Sequence, residues 1–359
     1  ENVRTNIETG QRWRLSAAGH ARVETARTRT WYAGPLPVSA QEYASSFAEG
    51  NRVALNPDLL RAALAPFDLE DETIADIGQA IASGASLLLG GCADDEQPAI
   101  ANALASAFAG AIKLPHAIFA AGAVIRMADP RIHRAVESAQ SSGEGALRSR
   151  ESFAPWMQIQ PPAVTLTGGL IPADVVPPFD ADARFYIAPA PMTASGGILT
   201  ICNGANSDPQ ALEHLSRYWL VPSAGGVGML LLRTGERVEV PWGAAVVIFA
   251  SPEELPISFA AAVAYHVDAA PLEAAALRRF LAGRLPANAA FTSAAVDGIA
   301  RLLERVDLAR RQPAAAVARY LRDRILYEDA AFTLSDDALN GALRFAAVRL
   351  APAPAERAA

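Results

Sequence analysis

The chain has 359 residues, enough for two domains or one elaborated α/β domain. Its formal net charge is -7 and its pI about 5.4, which argues against a nucleic-acid or anionic-membrane surface covering the whole chain, though not against a local basic patch. Two cysteines, Cys92 and Cys202, are too few for a disulfide framework or a zinc cluster, and no apolar run reaches transmembrane length.

Residues 11–15 read as a short strand, and Ser16 N-caps a helix running to Ala26. The Gly-Pro-Leu-Pro-Val run at Gly34 to Val38 marks a boundary. Gln41 to Glu49 and Pro57 to Leu64 read as helices, and so does Asp71 to Ser83, with Gly84 ending it. A strand follows at Leu87 to Leu89, then a helix with Ile100, Leu104 and Phe108 on one face. Ser138 to Ser149 reads as a flexible loop. Short apolar runs at Ala163 to Leu166, Gly197 to Ile201, Met229 to Leu232 and Ala245 to Phe249 are predicted as buried strands of a helix-covered sheet. Arg237 to Val240 alternates and reads as a hairpin arm. From Pro271 the pattern is helical: Leu272 to Leu281, Ser293 to Leu308, Ala314 to Leu326 and Ser335 to Val348. The Pro/Ala-rich tail, 351–359, is expected to be disordered.

The loop after Leu87-Leu88-Leu89-Gly90-Gly91 has the grammar of a phosphate-binding loop and the wrong chemistry for one. Such a loop reads G-x-x-x-x-G-K-[ST], with the lysine on phosphates and the hydroxyl on Mg²⁺. Counting from Gly91, the second glycine falls on Glu96, the lysine on Gln97 and the hydroxyl on Pro98. Asp94, Asp95 and Glu96 put carboxylates where a polyphosphate would lie. They are expected to form a solvated acidic turn that caps the following helix. The one lysine in the chain is Lys113, well past the loop.

Around this loop the sequence resembles an AAA+ ATPase, of the bacterial type with a winged-helix segment ahead of the ATPase module. The resemblance rests on Trp31-Tyr32-Ala33-Gly34-Pro35-Leu36-Pro37-Val38, Leu114-Pro115-His116-Ala117-Ile118 and Asp129-Pro130 with His133. Gly196-Gly197-Ile198-Leu199, Arg217-Tyr218-Trp219-Leu220-Val221-Pro222, and Thr234-Gly235 before Val238-Glu239-Val240-Pro241 complete it. It implies an α/β fold with a parallel sheet in the order 5-1-4-3-2, flanked by helices, and a C-terminal helical lid. It also implies a division of the chain: a winged-helix remnant at 1–33, linker helices at 34–70, the α/β domain at 71–270, the lid at 271–350 and the tail at 351–359.

The departures from the family fall on chemistry. The acidic pair expected after the strand that follows Gly196-Gly197 is Cys202-Asn203. Ser251 stands at the polar-sensor position. The arginine-finger segment offers Ala261 and Ala262, and Arg319 is the one remnant of a phosphate-sensing arginine in the lid. The resemblance therefore implies a pseudo-ATPase without catalytic residues. Gly91, Asp94, Asp95, Glu96, Gln97, Pro98, Cys202, Asn203, Ser251 and Arg319 would line a vestigial nucleotide site, with Cys92 and Cys202 in one cleft and unbridged.

The expected role is a non-hydrolysing subunit, adaptor or scaffold, partnered by an active AAA+ paralogue or by further copies of itself. No cofactor and no metal are expected, and the location is expected to be cytoplasmic. The alternative is a nucleotide-binding protein that uses ATP or ADP with Mg²⁺ at an atypical site. The arginines Arg12, Arg14, Arg22, Arg27 and Arg29 would make nucleic-acid binding through the winged-helix remnant a less favoured option. The five histidines show no ligand spacing, and the G-x-S-x-G elbow of serine hydrolases is absent.

Overall fold

The structure is a computed structural model that describes residues 4–5, 12–13, 15–48, 55–136, 154–223, 226–269, 271–286, 290–328 and 332–350. The expected loop at 138–149, the tail at 351–359 and Arg14 lie outside the described residues. The chain opens with β1 (Arg4–Thr5) paired antiparallel to β2 (Arg12–Trp13). Next comes α1 (Ala17–Arg27), capped by the Ser16 hydroxyl, which accepts the Gly19 N–H. The next elements are β3 (Val38–Ser39), α2 (Ala40–Ala48), α3 (Pro57–Leu64) and α4 (Asp71–Ala82). Then follow β4 (Ser86–Gly90), α5 (Gln97–Ser106), β5 (Ile112–Pro115), β6 (Ala117–Ala120) and β7 (Ala123–Arg126).

The rest of the α/β body contains β8 (Trp156–Ile159), β9 (Ala163–Leu166), β10 (Phe179–Asp180), β11 (Phe185–Ile187) and β12 (Ile198–Ile201). It continues through α6 (Pro209–Leu215), β13 (Val227–Leu231), β14 (Arg237–Pro241), β15 (Ala245–Ile248) and β16 (Tyr265–Asp268). Four helices close the chain: α7 (Ala274–Ala282), α8 (Ser293–Arg305), α9 (Arg311–Glu328) and α10 (Asp336–Leu350).

The central sheet has the order β16-β4-β15-β12-β9, and every pairing is parallel. Numbered within the sheet, this is 5-1-4-3-2, the architecture that the resemblance implies. Its three inner strands, β4, β15 and β12, are buried along their whole length because both faces are covered. Side chains alternate between two cores: Leu87 and Leu89 join Leu64, Ile77, Ile100 and Leu104 of α3 to α5, while Leu88 joins Trp219 and the residues beneath it. That second face is covered by α6, which continues into a π-helical turn at Ser216–Leu220 that buries Trp219, and by further β-structure.

The further β-structure is legible in the sequence only in fragments. A second sheet runs β10-β11-β7-β6-β3, and β5 pairs with β8. The β6–β7 hairpin turns on Ala121 and Gly122, both with positive φ, the geometry of a two-residue hairpin loop without its usual Asn-Gly signature. The expected buried strand at Met229 to Leu232 is a correction. It forms β13 in a two-stranded antiparallel hairpin with β14, apart from the helix-covered sheet. Its residues alternate between buried and half-buried, and a Cβ on Gly228 would sit 2.5 Å from Trp219 Cε3, so the hairpin lies with one face on the indole. Helices α7 to α10 have their own core, centred on Leu277, Leu281, Leu303 and Leu321. Among the described residues, no helix is long and apolar enough to cross a membrane.

His133 ties the second sheet's connection to the central body. Its Nδ1 accepts the Asp129 N–H at 2.9 Å, and its Nε2 lies 2.9 Å from the Thr193 carbonyl oxygen, which fixes the neutral Nε2–H tautomer. Burial holds its pKa below the ordinary histidine value, against the opposing pull of Thr193 and Asp129. A histidine depressed on folding contributes stability that is present above about pH 6.5 and lost as pH falls through the folded value. We expect the urea midpoint to drop between about pH 7.5 and 5.5, and His133→Asn to flatten that slope while lowering stability at the upper end. An unchanged slope in the variant would exclude His133 as its source.

Candidate functional site

The loop between β4 and α5 sits at the C-terminal edge of the central sheet, where ligands of open α/β sheets bind. Gly91 opens it with φ +74, and a Cβ there would lie 2.6 Å from both the Ala269 carbonyl oxygen and Asp268 Oδ1. Glycine is therefore required by conformation and by space. Cys92 and Ala93 turn inward, and Ala93 packs into the core of the helical lid.

A loop that binds phosphate offers free N–H groups at the start of its helix. Here three of those donors are consumed internally. Asp94 N–H donates to Gln312 Oε1 at 2.9 Å, and the Glu96 and Gln97 N–H groups donate to the Ala93 carbonyl at 3.0 and 3.2 Å. Pro98 has no N–H to give. Gln312 also donates through Nε2 to Asp94 Oδ2 at 2.8 Å, so one lid side chain grips both ends of Asp94.

The acidic turn is solvated at Asp94 and Asp95, as expected from sequence, but not at Glu96. Glu96 is 5% exposed, occupies the N-cap position and makes no capping hydrogen bond. An N-cap side chain reaches the N2 and N3 donors from an extended backbone, whereas Glu96 has φ -95 and ψ -19. Its carboxylate turns to the lid instead. Arg311 Nη1 donates to Oε1 at 3.0 Å and Arg284 Nη2 to Oε2 at 2.9 Å. Arg284 also pairs with Asp95 at 3.1 Å, and its guanidinium lies 3.6 Å from the Phe280 ring centroid. Arg311 is 2% exposed, and its Nη2 donates to the carbonyls of Phe67 at 2.6 Å and Asp68 at 2.9 Å. Burial pushes the Glu96 pKa above the ordinary carboxylate value, with Arg311 and Arg284 opposing the rise.

Gln97, at the lysine position, bridges the loop to the next central strand but one. Its Oε1 accepts the Asn203 N–H at 2.7 Å, and its Nε2 donates to Asp94 Oδ1 at 3.3 Å. Asn203 has φ +53, and its Nδ2 donates to the Thr167 carbonyl at 2.9 Å. Cys202 precedes it, fully buried just past β12. Ser251 caps a short 3-10 turn, with its N–H donating to Glu254 Oε2 at 2.7 Å. A Cβ on Gly90 would lie 3.0 Å from Ser251 Oγ, which puts that serine beside the loop. Arg319 lines a cavity of about 250 Å³ with Asp94, Asp95, Arg284 and Gln312, and it pairs with Asp323 at 3.7 Å. Ala261 and Ala262 follow a short helix at Ile257–Ala260.

The structure thus gathers the loop residues, Cys202, Asn203 and Ser251 around one strand-end region, with Arg319 at its rim. Sequence reasoning missed Arg284, Arg311 and Gln312, because nothing local ties lid residues to a loop some two hundred positions away. Among the described residues, no three His, Cys, Asp or Glu side chains come together as a metal-holding group.

Cys92 and Cys202 are free and share the core cluster on the α3 to α5 side of the sheet. Burial pushes the Cys92 thiol up to about 12, with Glu96 adding to the rise, and the Cys202 thiol up to about 11. The thiolate is the reactive form, so near neutral pH each thiol is at most about one part in a thousand ionised. We expect an aromatic disulfide reagent to titrate no thiol in the native protein and two after denaturation. Rapid native labelling would contradict the burial of this cleft.

The chain matches no protein-family profile and no curated protein sequence. Among solved structures it is similar to the ORC2 protein of Aeropyrum pernix in ADPNP and ADP complexes, at 10% identity and a TM-score of 0.25 over 42% of this chain and 39% of that one. It is also similar to a RuvB variant of Thermotoga maritima, at 11% identity and a TM-score of 0.33 over 81% and 69% of the two chains. A chain from the BchI–BchD complex of magnesium chelatase is 16% identical, with a TM-score of 0.35 over 78% and 92%. The protein spans about two fifths of the ORC2 chain. These overall similarities are weak; the fold itself is a parallel α/β sheet in the order 5-1-4-3-2, flanked by helices and followed by a helical subdomain.

Proposed function

We propose that this protein is a non-hydrolysing AAA+-like module, acting as a subunit, adaptor or scaffold in a protein assembly. Its neighbour would be an active AAA+ paralogue or a further copy of itself. The observation that carries the reading is the Glu96 carboxylate held between Arg284 and Arg311. The protein supplies its own anion to the lid arginines at the head of α5. With Asp94 and Asp95 beside it, the loop repels phosphate where an ATPase attracts it. The absence of lysine, acidic pair and arginine finger at Gln97, Cys202-Asn203 and Ala261-Ala262 agrees with this reading.

Titration calorimetry with ATP and Mg²⁺, and with ADP, tests it. The expected result is a dissociation constant weaker than about 1 mM and no turnover above background. Micromolar binding of either nucleotide would overturn it in favour of a rewired nucleotide site.

A further inference from the structure

A second concavity, of about 1050 Å³, lies away from the phosphate-type loop. Its floor is the β6–β7 hairpin with β10 and β11. Its walls are α1 and the turn between β13 and β14. Arg22 enters from α1, Arg29 from the turn that follows it, Arg184 from the β10–β11 turn and Arg233 from the β13–β14 side. Three separate segments thus converge four guanidinium groups on one cleft. Among the described residues, none of the four has a carboxylate partner. The cleft's one carboxylate, Glu236, accepts the Thr234 hydroxyl at 3.0 Å.

The positions of these arginines favour a linear anion. Arg22 lies on α1, whereas Arg29 lies in the turn just past the helix end at Arg27, so the two line the cleft from successive stretches of one segment. Four guanidinium groups from three segments outnumber what a single phosphate can engage, whereas linked phosphates can meet them in turn. Arg184 also donates through Nη1 to the Thr28 carbonyl, which pins the β10–β11 turn to the end of α1. Arg233 lies over the Phe179 ring at 4.6 Å, a stack that leaves its in-plane donors free. Holding four like charges together is unfavourable without an anion to join them, the more notable in a chain of net charge -7.

The cleft also carries an aromatic surface. Phe119, on β6, is 51% exposed and lines the floor. An exposed ring beside a row of arginines is the combination that binds single strands: phosphates on the cations, bases stacked on the ring. The bases of a duplex are already stacked and cannot lie on it. We propose that this cleft binds single-stranded nucleic acid, with Arg22, Arg29, Arg184 and Arg233 on the phosphates and Phe119 under a base. The proposal does not depend on the state of the phosphate-type loop.

Fluorescence anisotropy with a labelled oligothymidylate of about a dozen nucleotides tests it on the full chain. We expect saturable binding whose log-log salt slope is about -2.8, from four phosphate contacts at about 0.7 each. Arg22→Glu with Arg233→Glu should weaken binding by about a hundredfold, and Phe119→Ala by about tenfold. These side chains are exposed, and circular dichroism checks that the variants fold. Arg61→Glu with Arg131→Glu, at two exposed arginines outside the cleft, makes the same charge change elsewhere and should leave binding unchanged. Absence of binding at low salt would overturn the proposal. So would binding indifferent to Phe119→Ala and displaced equally by inorganic polyphosphate, or a tighter complex with an acidic peptide.

Discussion

Replacing Arg311 with alanine is expected to destabilise the protein by about 3–5 kcal/mol, the range for breaking a buried ion pair from one side. Arg311 and Glu96 are 2% and 5% exposed, so neither water nor salt screens the pair appreciably. The substitution leaves the Glu96 carboxylate with Arg284 alone. It also removes the donor to the carbonyls of Phe67 and Asp68, and so loosens the lid from the α3–α4 connection. Arg284→Ala should cost less, because Arg284 is 21% exposed and its pairing is partly solvated. Glu96→Gln combined with Arg311→Met should recover much of the loss, since a buried pair replaced on both sides is often neutral. Urea unfolding of Glu96→Gln, of Arg311→Met and of the two combined, read as a double-mutant cycle, measures the coupling. A loss under about 1 kcal/mol for Arg311→Ala would show that the lid is not fastened here.

Gly197→Ala is expected to cost about 3 kcal/mol or more, a larger effect than most single-methyl additions. A Cβ at this position would lie 2.0 Å from the Pro162 carbonyl oxygen and 2.8 Å from the Pro162 nitrogen. Both are backbone atoms, and no rotamer change can clear them. The segment is pinned on three sides. Gly197 N–H donates to Ala194 and its carbonyl accepts from Ala245, while Ile198 N–H donates to that same Pro162 carbonyl. Relief therefore requires β9 and β12 to separate at their start. Gly122→Ala is the matched control: its φ is +71 but nothing lies within 4 Å of the new carbon, so it should cost only about 1–2 kcal/mol. Thermal unfolding of the two variants separates backbone collision from conformational strain. Equal losses would mean that the β9–β12 junction yields.

That glycine shows how far the sequence could be read. Gly196-Gly197 stood out as a framework motif, but its reason, the passage of Pro162 across the strand start, exists only in three dimensions. The same division holds elsewhere. The short apolar runs of β4, β9, β12 and β15 announced a covered parallel sheet, because a strand buried on both faces has no polar alternation to hide. By contrast β16, Tyr265-His266-Val267-Asp268, alternates between half-buried and exposed residues at the sheet edge and was not anticipated. The strands of the second sheet are two to four residues long, too short for periodicity to register. Met229 to Leu232 carried the composition of a buried strand, and its place in a hairpin was set by contact with Trp219.

At the candidate site the sequence determined which residues stand where the AAA+ resemblance implies lysine, hydroxyl, acidic pair and finger: Gln97, Pro98, Cys202-Asn203 and Ala261-Ala262. It also determined that three carboxylates stand in the loop. Only the tertiary structure decided what those carboxylates do. Asp94 and Glu96 meet Gln312, Arg284 and Arg311 across 188 to 218 residues of chain. Burial between α5 and the lid turns a run that reads as a solvated cap into an ion-paired clasp. Likewise Arg22 and Arg29 read alone as members of an N-terminal arginine cluster, until the fold sets Arg184 and Arg233 opposite them. Local sequence encodes periodicity and the capacity for charge. The partner of each charge is chosen by contacts between distant segments, and those form only when the sheet and the lid close.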